Sequence, residues 1–250
     1  MSKKNVLAES DMSDKEIKKL YKQVKKKMGI NNKNLDDIFD VAMLDREALF
    51  PNQNKNTEKE CLEKWIKGYI SSTKNLPSSH IGNTKRTCSD PSLATIVKVA
   101  CNSNDEEIKR MELNHNLFMS AENIQGELLE EYIARNIEGD DWIWCSGNTL
   151  RAVDFCKRDG SALLQIKNKD NTENSSSNAI RNGTKIKKWH RLKTITRNKI
   201  PIPSYRWDKL NKIINKDLDN GAELCNMSEE DYQDFLKEVV TDNPDIISEE

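Results

Sequence analysis

Three polar residues in two neighbouring apolar segments are of the types that bind a divalent metal ion and activate a water molecule. In residues 162–167, alternation along a strand turns a leucine and the isoleucine towards the core, so that Gln165 and Lys167 share the other face. Asp154 lies between two apolar residues of the preceding segment, and adjacent antiparallel strands would bring it to the same side. Carboxylate and amide oxygens are hard ligands of the kind that Mg²⁺ takes. An ammonium can orient or deprotonate the attacking water, or stabilise charge that develops on a phosphate.

A helix predicted over residues 121–137 offers a further carboxylate. Its buried stripe consists of Ile124, Leu128, Leu129, Tyr132 and Ile133. Glu130 lies beside this stripe, whereas Glu127 and Glu131 lie further from it. We therefore predict Glu130 as the second carboxylate of the metal site, with Glu127 as the alternative. The competing interpretation is that all three are solvated glutamates of a helix surface.

The elements that must hold these residues begin with a helical region. Capping boxes at Ser13 and Thr57 open two of its helices. The predicted helices cover residues 13–28, 35–50, 57–70, 92–101 and 105–118, and residues 76–91 have the composition of a loop. The sequence therefore predicts a helical N-terminal region, residues 1–118, followed by a core domain, residues 119–250.

Short strands follow in the second part of the chain. They are predicted at Trp142–Cys145, Leu150–Cys156 and Ala162–Lys167, and turns at residues 146–148 and 158–160 join them into a meander. A final helix begins at Ser228 and carries Tyr232, Phe235 and Leu236.

Charge is distributed in blocks, although the net charge is only −1. Residues 174–207 contain no aspartate or glutamate, and from residue 208 onwards acidic residues predominate. The basic block contains Arg181, Lys185, Lys187, Lys188, Arg191, Lys193, Arg197, Lys199 and Arg206. Such segregation favours a surface that faces a polyanion, and a merely solvated basic face is the alternative.

Several classes of protein are not indicated by this sequence. It shows no signal peptide and no window approaching the roughly 20 apolar residues that span a bilayer. The six cysteines form no CxxC pair, so neither a zinc site nor a disulfide framework is predicted. We expect a soluble, cytoplasmic protein.

The candidate residues and their order resemble the core of the PD-(D/E)XK nuclease superfamily. The resemblance is carried by Gly126-x-x-x-Glu130, then Asp154, then Gln165-x-Lys167. It implies an α/β (α+β) fold with a central mixed β-sheet flanked by helices. It also implies Mg²⁺ bound by Asp154, Gln165 and Glu130, hydrolysis by an activated water on which Lys167 acts, and products with 5′-phosphate and 3′-hydroxyl ends.

The sequence departs from the superfamily pattern at two positions. Val153 replaces a proline that is not a ligand, so this change matters little. Gln165 replaces the usual acidic residue and removes one negative charge from the metal site, although an amide oxygen still coordinates a metal. Metal affinity would then depend on Asp154 and Glu130.

A longer stretch is similar to the SinI-type family of type II restriction endonucleases. The similarity covers about Met119 to Asn243 and is carried by residues 165–168, 174–184 and 187–189, with Asn123-x-x-Gly126-x-x-x-Glu130 upstream and Ser228-x-x-Asp231-x-x-x-Phe235 downstream. It implies a homodimer that cuts a short palindrome in double-stranded DNA, with GGWCC-like sites as the first candidates. A cognate DNA methyltransferase would then protect the host DNA.

The basic block acquires a role from this resemblance. The residues expected to enter a DNA groove are Asn174, Ser175, Ser176, Ser177, Arg181 and Asn182, and those expected to contact phosphates are Lys185, Lys187, Lys188 and Arg191. We expect Trp189 to pack in the core, and His190 to be a surface or phosphate-contacting residue. The alternatives are a non-catalytic DNA-binding protein, a structural or interaction protein, and a nuclease of the same core that acts on RNA or branched DNA.

Overall fold

A computed structural model describes residues 5–53, 57–82, 89–137, 141–169, 185–216 and 225–247 of the chain. The chain divides into two compact units. The first is formed by residues 1–75 and 132–229, and the second by residues 76–131 and 230–250. No helix in these described ranges is both long enough and apolar enough to cross a membrane.

Four helices open the first unit. They are α1 (Asp14–Lys27), α2 (Lys33–Ala42), α3 (Arg46–Leu49) and α4 (Glu58–Lys74). The predicted capping box is present at α1, where Ser13 caps the helix and the Glu16 side chain accepts from the Ser13 backbone. The single helix predicted over residues 35–50 is wrong: Asp45 accepts from the backbone N–H of Ala48 at 3.0 Å and begins a separate helix.

Five strands form one mixed sheet in the order β1-β2-β3-β4-β5. Their bounds are β1 (Trp142–Trp144), β2 (Phe155–Lys157), β3 (Leu163–Lys169), β4 (Ile186–Arg197) and β5 (Ile200–Tyr205). Neighbouring strands are antiparallel except β3 and β4, which are parallel. The predicted meander is confirmed in β1 to β3, although the second strand is shorter because Ala152 adopts a positive φ of 59°. The sequence did not predict β4 or β5.

Both faces of the sheet bury apolar side chains within the first unit. A row across four strands, Ile143, Cys156, Leu163 and Ile186, belongs to the same hydrophobic core as the buried residues of α1 to α4. The opposite face carries Leu164, Ile166 and Trp189, and the Trp189 ring lies 5.2 Å from that of Trp207 in α7 (Trp207–Ile214). The burial predicted for Trp189 is confirmed. The functional boundary predicted between residues 118 and 119 stays a prediction.

The second unit is helical. It contains α5 (Pro91–Cys101), most of α6 (Asp105–Asn136) and nearly all of α8 (Glu229–Asp242). One helix replaces the two predicted over residues 105–118 and 121–137, because the intervening residues include no glycine or proline to break it. The predicted final helix is confirmed as α8, in which Tyr232 and Phe235 are buried.

Candidate active site

Asp154 is held against β3 by two hydrogen bonds. Its backbone N–H donates to the carbonyl of Leu164 at 2.9 Å, and its Oδ2 accepts from the backbone N–H of Ile166 at 2.6 Å. Asp154 directly precedes β2, whose register pairs Phe155 with Leu164, and its two bonds reach the residues on either side of Gln165. These bonds therefore hold the aspartate beside the position of Gln165 in β3.

Gln165 is a buried polar residue with an unusual deficit. The residue is only 4% exposed, and its Oε1 has no hydrogen-bond partner among the described residues. Leaving such an oxygen unpaired costs about 1–3 kcal/mol, and most buried polar atoms in native proteins are paired. An amide oxygen beside a carboxylate forms a hard-oxygen pair that fits Mg²⁺. The donor set is therefore compatible with the predicted metal.

Lys167 lies on the same face, two residues after Gln165 in β3. It is half-buried, and its ammonium has no ion-pair or hydrogen-bond partner among the described residues. An ammonium without a protein partner is available to a phosphate or a water molecule. Gln165 and Lys167 therefore share one face of β3, as their spacing predicts.

Strand β4 adds two cationic or titratable side chains to this face. The parallel register pairs Gln165 with Lys188 and Lys167 with His190, and both added residues are half-buried. The sequence did not predict this, because no strand was assigned to the basic block. The β-branched and aromatic residues Ile186, Trp189, Thr194, Ile195 and Thr196 were the available signal for a strand.

Arg191 has an environment that does not agree with the phosphate contact expected of it. The residue is 3% exposed, and its Nη1 lies 2.5 Å from Glu229 Oε1. Its Nε donates to Asn168 Oδ1 at 2.8 Å, and its guanidinium lies 5.4 Å from the ring centre of Tyr205. The second oxygen of Glu229 accepts from Trp207 Nε1 at 2.9 Å. This buried network joins β3, β4, α7 and the start of α8, so we interpret Arg191 as a structural residue.

The three candidate glutamates of α6, which lie in the second unit, differ in their exposure to solvent. The expectation that Glu131 lies away from the packed face is wrong, since the residue is 1% exposed. Its two carboxylate oxygens accept from the backbone N–H and the hydroxyl of Ser78, at 2.8 and 2.6 Å, and these donors offset the cost of burial. Glu127 is well exposed, with Oε2 3.8 Å from His80 Nδ1. Glu130 is half-buried, and its place in the metal site stays a prediction.

The residues predicted to read DNA bases, 174–177 with Arg181 and Asn182, lie outside the described residues. Lys185 and Lys187 are exposed at the start of β4. At its other end β4 joins β5 through Asn198 and Lys199, whose φ values of 51° and 64° are those of a type I′ hairpin turn.

Exposed cations lie on this hairpin, which we call the β4–β5 ribbon (residues 193–204). Lys193, Arg197 and Lys199 are exposed, and none has an ion-pair partner among the described residues. Sequence analysis had counted them only as part of the basic block. A two-stranded ribbon is narrow enough to enter the major groove of DNA.

Acidic and metal-binding residues are sparse around the candidate site. Within the described ranges no group of three or more histidine, cysteine, aspartate or glutamate residues is placed to hold a metal ion. A site of one carboxylate and one amide oxygen is too small to count as such a group.

Comparison with known proteins identifies the family. The model of the SinI restriction endonuclease family matches residues 63–242, so the match begins in α4, upstream of the region in which the sequence resemblance was expected to start. The type II restriction enzyme Eco47I of Escherichia coli is 36% identical over 189 residues, which cover 74% of this chain and 74% of that enzyme. The type II restriction enzyme SinI of Salmonella infantis is 46% identical over 109 residues, 42% of this chain and 47% of that enzyme. The chain therefore belongs to the SinI restriction endonuclease family and, with it, to the type II site-specific deoxyribonucleases.

Proposed function

We propose that this enzyme cuts both strands of a short palindrome in DNA by Mg²⁺-dependent hydrolysis, leaving 5′-phosphate and 3′-hydroxyl ends. The observation that carries the proposal is the buried Oε1 of Gln165, which has no partner among the described residues, next to Ile166, whose backbone N–H fixes the carboxylate of Asp154. GGWCC-like sequences are the first candidates for the site, because the family resemblance implies them.

The metal ligands in this proposal are Asp154, Gln165 and Glu130. The first two are supported by their place on the sheet, and Glu130 by its spacing in the sequence. When bound, Mg²⁺ supplies Lewis-acid stabilisation of the negative charge on the scissile phosphate. Because Gln165 is neutral, the charge of the metal site depends on the two carboxylates.

Lys167 acts on the attacking water in this proposal. Its unpaired ammonium can orient that water or stabilise the charge that develops on the phosphate. Lys188 and His190 lie beside it in register and add further hydrogen-bond donors to the same face. This part of β3 and β4 therefore combines one fixed carboxylate, one amide oxygen without a partner among the described residues, and the Lys167 ammonium as a donor for a phosphate.

DNA binding in this proposal is divided between base-reading and phosphate-contacting residues. Asn174 to Ser177, Arg181 and Asn182 would read base edges, and Lys185, Lys187 and Lys188 would contact phosphates, with Lys193, Arg197 and Lys199 of the ribbon extending that surface. Two copies of the chain would match the two-fold symmetry of a palindrome. A cognate DNA methyltransferase would protect the host genome.

Digestion of a mixed-sequence plasmid tests the proposal. The wild-type enzyme should produce discrete fragments with Mg²⁺ and none with EDTA, and ligation without prior phosphorylation should rejoin them because their ends carry 5′-phosphates. Asp154→Asn should abolish cutting, whereas Asp208→Asn, on the exposed side of α7, should leave it unchanged. Intact plasmid with Mg²⁺ but retarded mobility in a gel would contradict the proposal and favour a non-catalytic DNA-binding protein.

A further inference from the structure

Helix α5 has the composition of a buried helix without being buried. Apart from Pro91, Ser92, Thr95 and Lys98, its eleven residues are apolar, yet none of them is buried. Leu93, Ile96 and Val99 are 61%, 65% and 77% exposed. Helices that are apolar all round are normally covered on every side, and an isolated helix of this length is marginal in water.

The packing of α5 on α6 leaves one side uncovered. Lys98 pairs with Asp105 at 2.6 Å, and Ser89, just before α5, donates to Glu112 at 2.8 Å, so the two helices form an antiparallel hairpin. The least exposed apolar residues of α5, Ala94 and Val97, lie on one side of the helix. Ile96 and Val99 lie on the opposite side, as the helical period of 3.6 residues requires.

Apolar exposure continues on α6. Met111 and Phe118 are 44% and 73% exposed, and a spacing of seven residues places them on one side of the helix. Of the eleven large apolar side chains that the described residues expose, six lie between positions 93 and 118. A concentration of this kind marks an interaction surface. We call Leu93, Ile96, Val99, Met111 and Phe118 the hairpin patch.

We propose that the hairpin patch is the surface through which two copies of this chain associate. In a two-fold contact the same residues of both copies face each other, so a patch with an unbalanced charge would repel itself. The only charged residue of α5, Lys98, is neutralised by Asp105 within the same hairpin. Residues 98–112 carry three cations and four carboxylates in all, so the charge around the patch is nearly balanced and a second copy can approach.

The same charges exclude DNA as the occupant of the patch. A DNA-binding surface needs an excess of cations, whereas residues 98–112 carry Lys98, Lys109 and Arg110 against Asp105, Glu106, Glu107 and Glu112. The exposed area is compatible with a dimer: the five side chains expose on the order of 500 Å², against the ~800 Å² that each partner buries in a standard interface. The remainder would come from flanking polar residues. The inference rests on the proposed cutting of a palindrome, which needs two active sites.

Sedimentation of the full-length protein without DNA tests the proposal. The wild type should sediment at close to twice the chain mass of 28.8 kDa at micromolar concentration. The double variant Ile96→Glu/Val99→Glu should sediment as a single chain, because two carboxylates per copy would be buried without partners in the dimer. Its dimer dissociation constant should be at least ~100-fold higher than that of the wild type. Leu44→Glu is the matched control, since Leu44 is 67% exposed in the first unit, and it should remain dimeric.

A cross-linking experiment gives an independent result. In a background that replaces Cys88, Cys101 and Cys225 by serine, a short bismaleimide should join two copies that carry Val99→Cys and should not join copies that carry Leu44→Cys. A wild-type monomer, or a dimer that survives both glutamates and fails to cross-link at position 99, overturns the proposal. Plasmid cutting is measured separately. If the wild type cuts DNA but the glutamate substitutions leave its dimer unaffected, only the proposal for the patch is refuted. If the substitutions abolish the dimer but the wild type never cuts DNA, only the proposed function is refuted.

Discussion

The two faces of strands β3 and β4 bury polar side chains in opposite ways. On one face Arg191 is 3% exposed, and its guanidinium is paired with Glu229 and Asn168. On the other face Gln165 is 4% exposed, and its Oε1 has no partner among the described residues. Burial is the same, but only one of the two groups recovers the cost of losing its water.

This difference separates a structural polar group from a functional one. A fully paired network such as that of Arg191 fixes elements relative to one another. An unpaired oxygen lowers the stability of the chain alone, and in our interpretation a bound metal recovers that loss. Substitutions that change one face, with activity and stability both measured, test whether the two faces differ in this way.

The largest expected effect is that of Lys167→Ala on cleavage. Loss of a group that acts on the attacking water should lower the single-turnover cleavage rate by about 10³-fold. The free energy of unfolding should change little, because the ammonium has no protein partner among the described residues. Rates are measured on a plasmid with saturating Mg²⁺, and urea unfolding is measured in parallel.

The control for this substitution is Lys209→Ala, which removes an exposed lysine of α7. It should leave the cleavage rate within a factor of about two of the wild-type rate, because substitutions at exposed surface positions have small effects. Full cleavage by Lys167→Ala would show that Lys167 takes no part in the chemistry. No residue of β3 would then be proposed to act on the attacking water.

The next effect concerns stability on the opposite face. Arg191→Met should lower the free energy of unfolding by about 3 kcal/mol, because it leaves the Glu229 carboxylate largely buried without its cation. The double variant Arg191→Met/Glu229→Gln should recover much of this loss, since neither charge then remains. Urea unfolding measures both. A double variant less stable than the single one would show that the ion pair is not the source of the stability.

Sequence patterns predicted the part of this comparison that depends on neighbouring segments. Alternation in residues 162–167 was sufficient to place Gln165 and Lys167 on one face, because side chains two positions apart in a strand point to the same side. The contribution of Lys188 and His190 could not be predicted, since it depends on a parallel pairing between β3 and β4 that no local pattern encodes. Glu131 was misplaced for a similar reason: its donor, Ser78, is 53 residues away in sequence.

A smaller effect, on DNA binding, is expected from substitutions in the β4–β5 ribbon, most of whose residues are exposed. Lys193→Ala and Arg197→Ala should weaken binding to all DNA sequences alike, because these exposed cations are proposed to bind phosphates. Removing one cation from a phosphate should reduce the slope of log K against log salt concentration by about 0.9. Gel retardation with EDTA across a salt series measures the slope. An unchanged slope would assign DNA binding to other residues, and Lys209→Ala is again the control.

The smallest expected effect is a change in the free energy of unfolding whose sign distinguishes the two faces. Gln165→Leu replaces an amide whose Oε1 has no partner among the described residues by an apolar side chain of similar size, so without metal it should raise the free energy of unfolding by about 1 kcal/mol. Added Mg²⁺ should stabilise the wild type more than the variant, because only the wild type retains the amide oxygen as a ligand. Thermal unfolding with and without Mg²⁺ gives both differences. If Gln165→Leu instead destabilises the metal-free chain as Arg191→Met does, the amide is part of the packed structure and the two faces do not differ in kind.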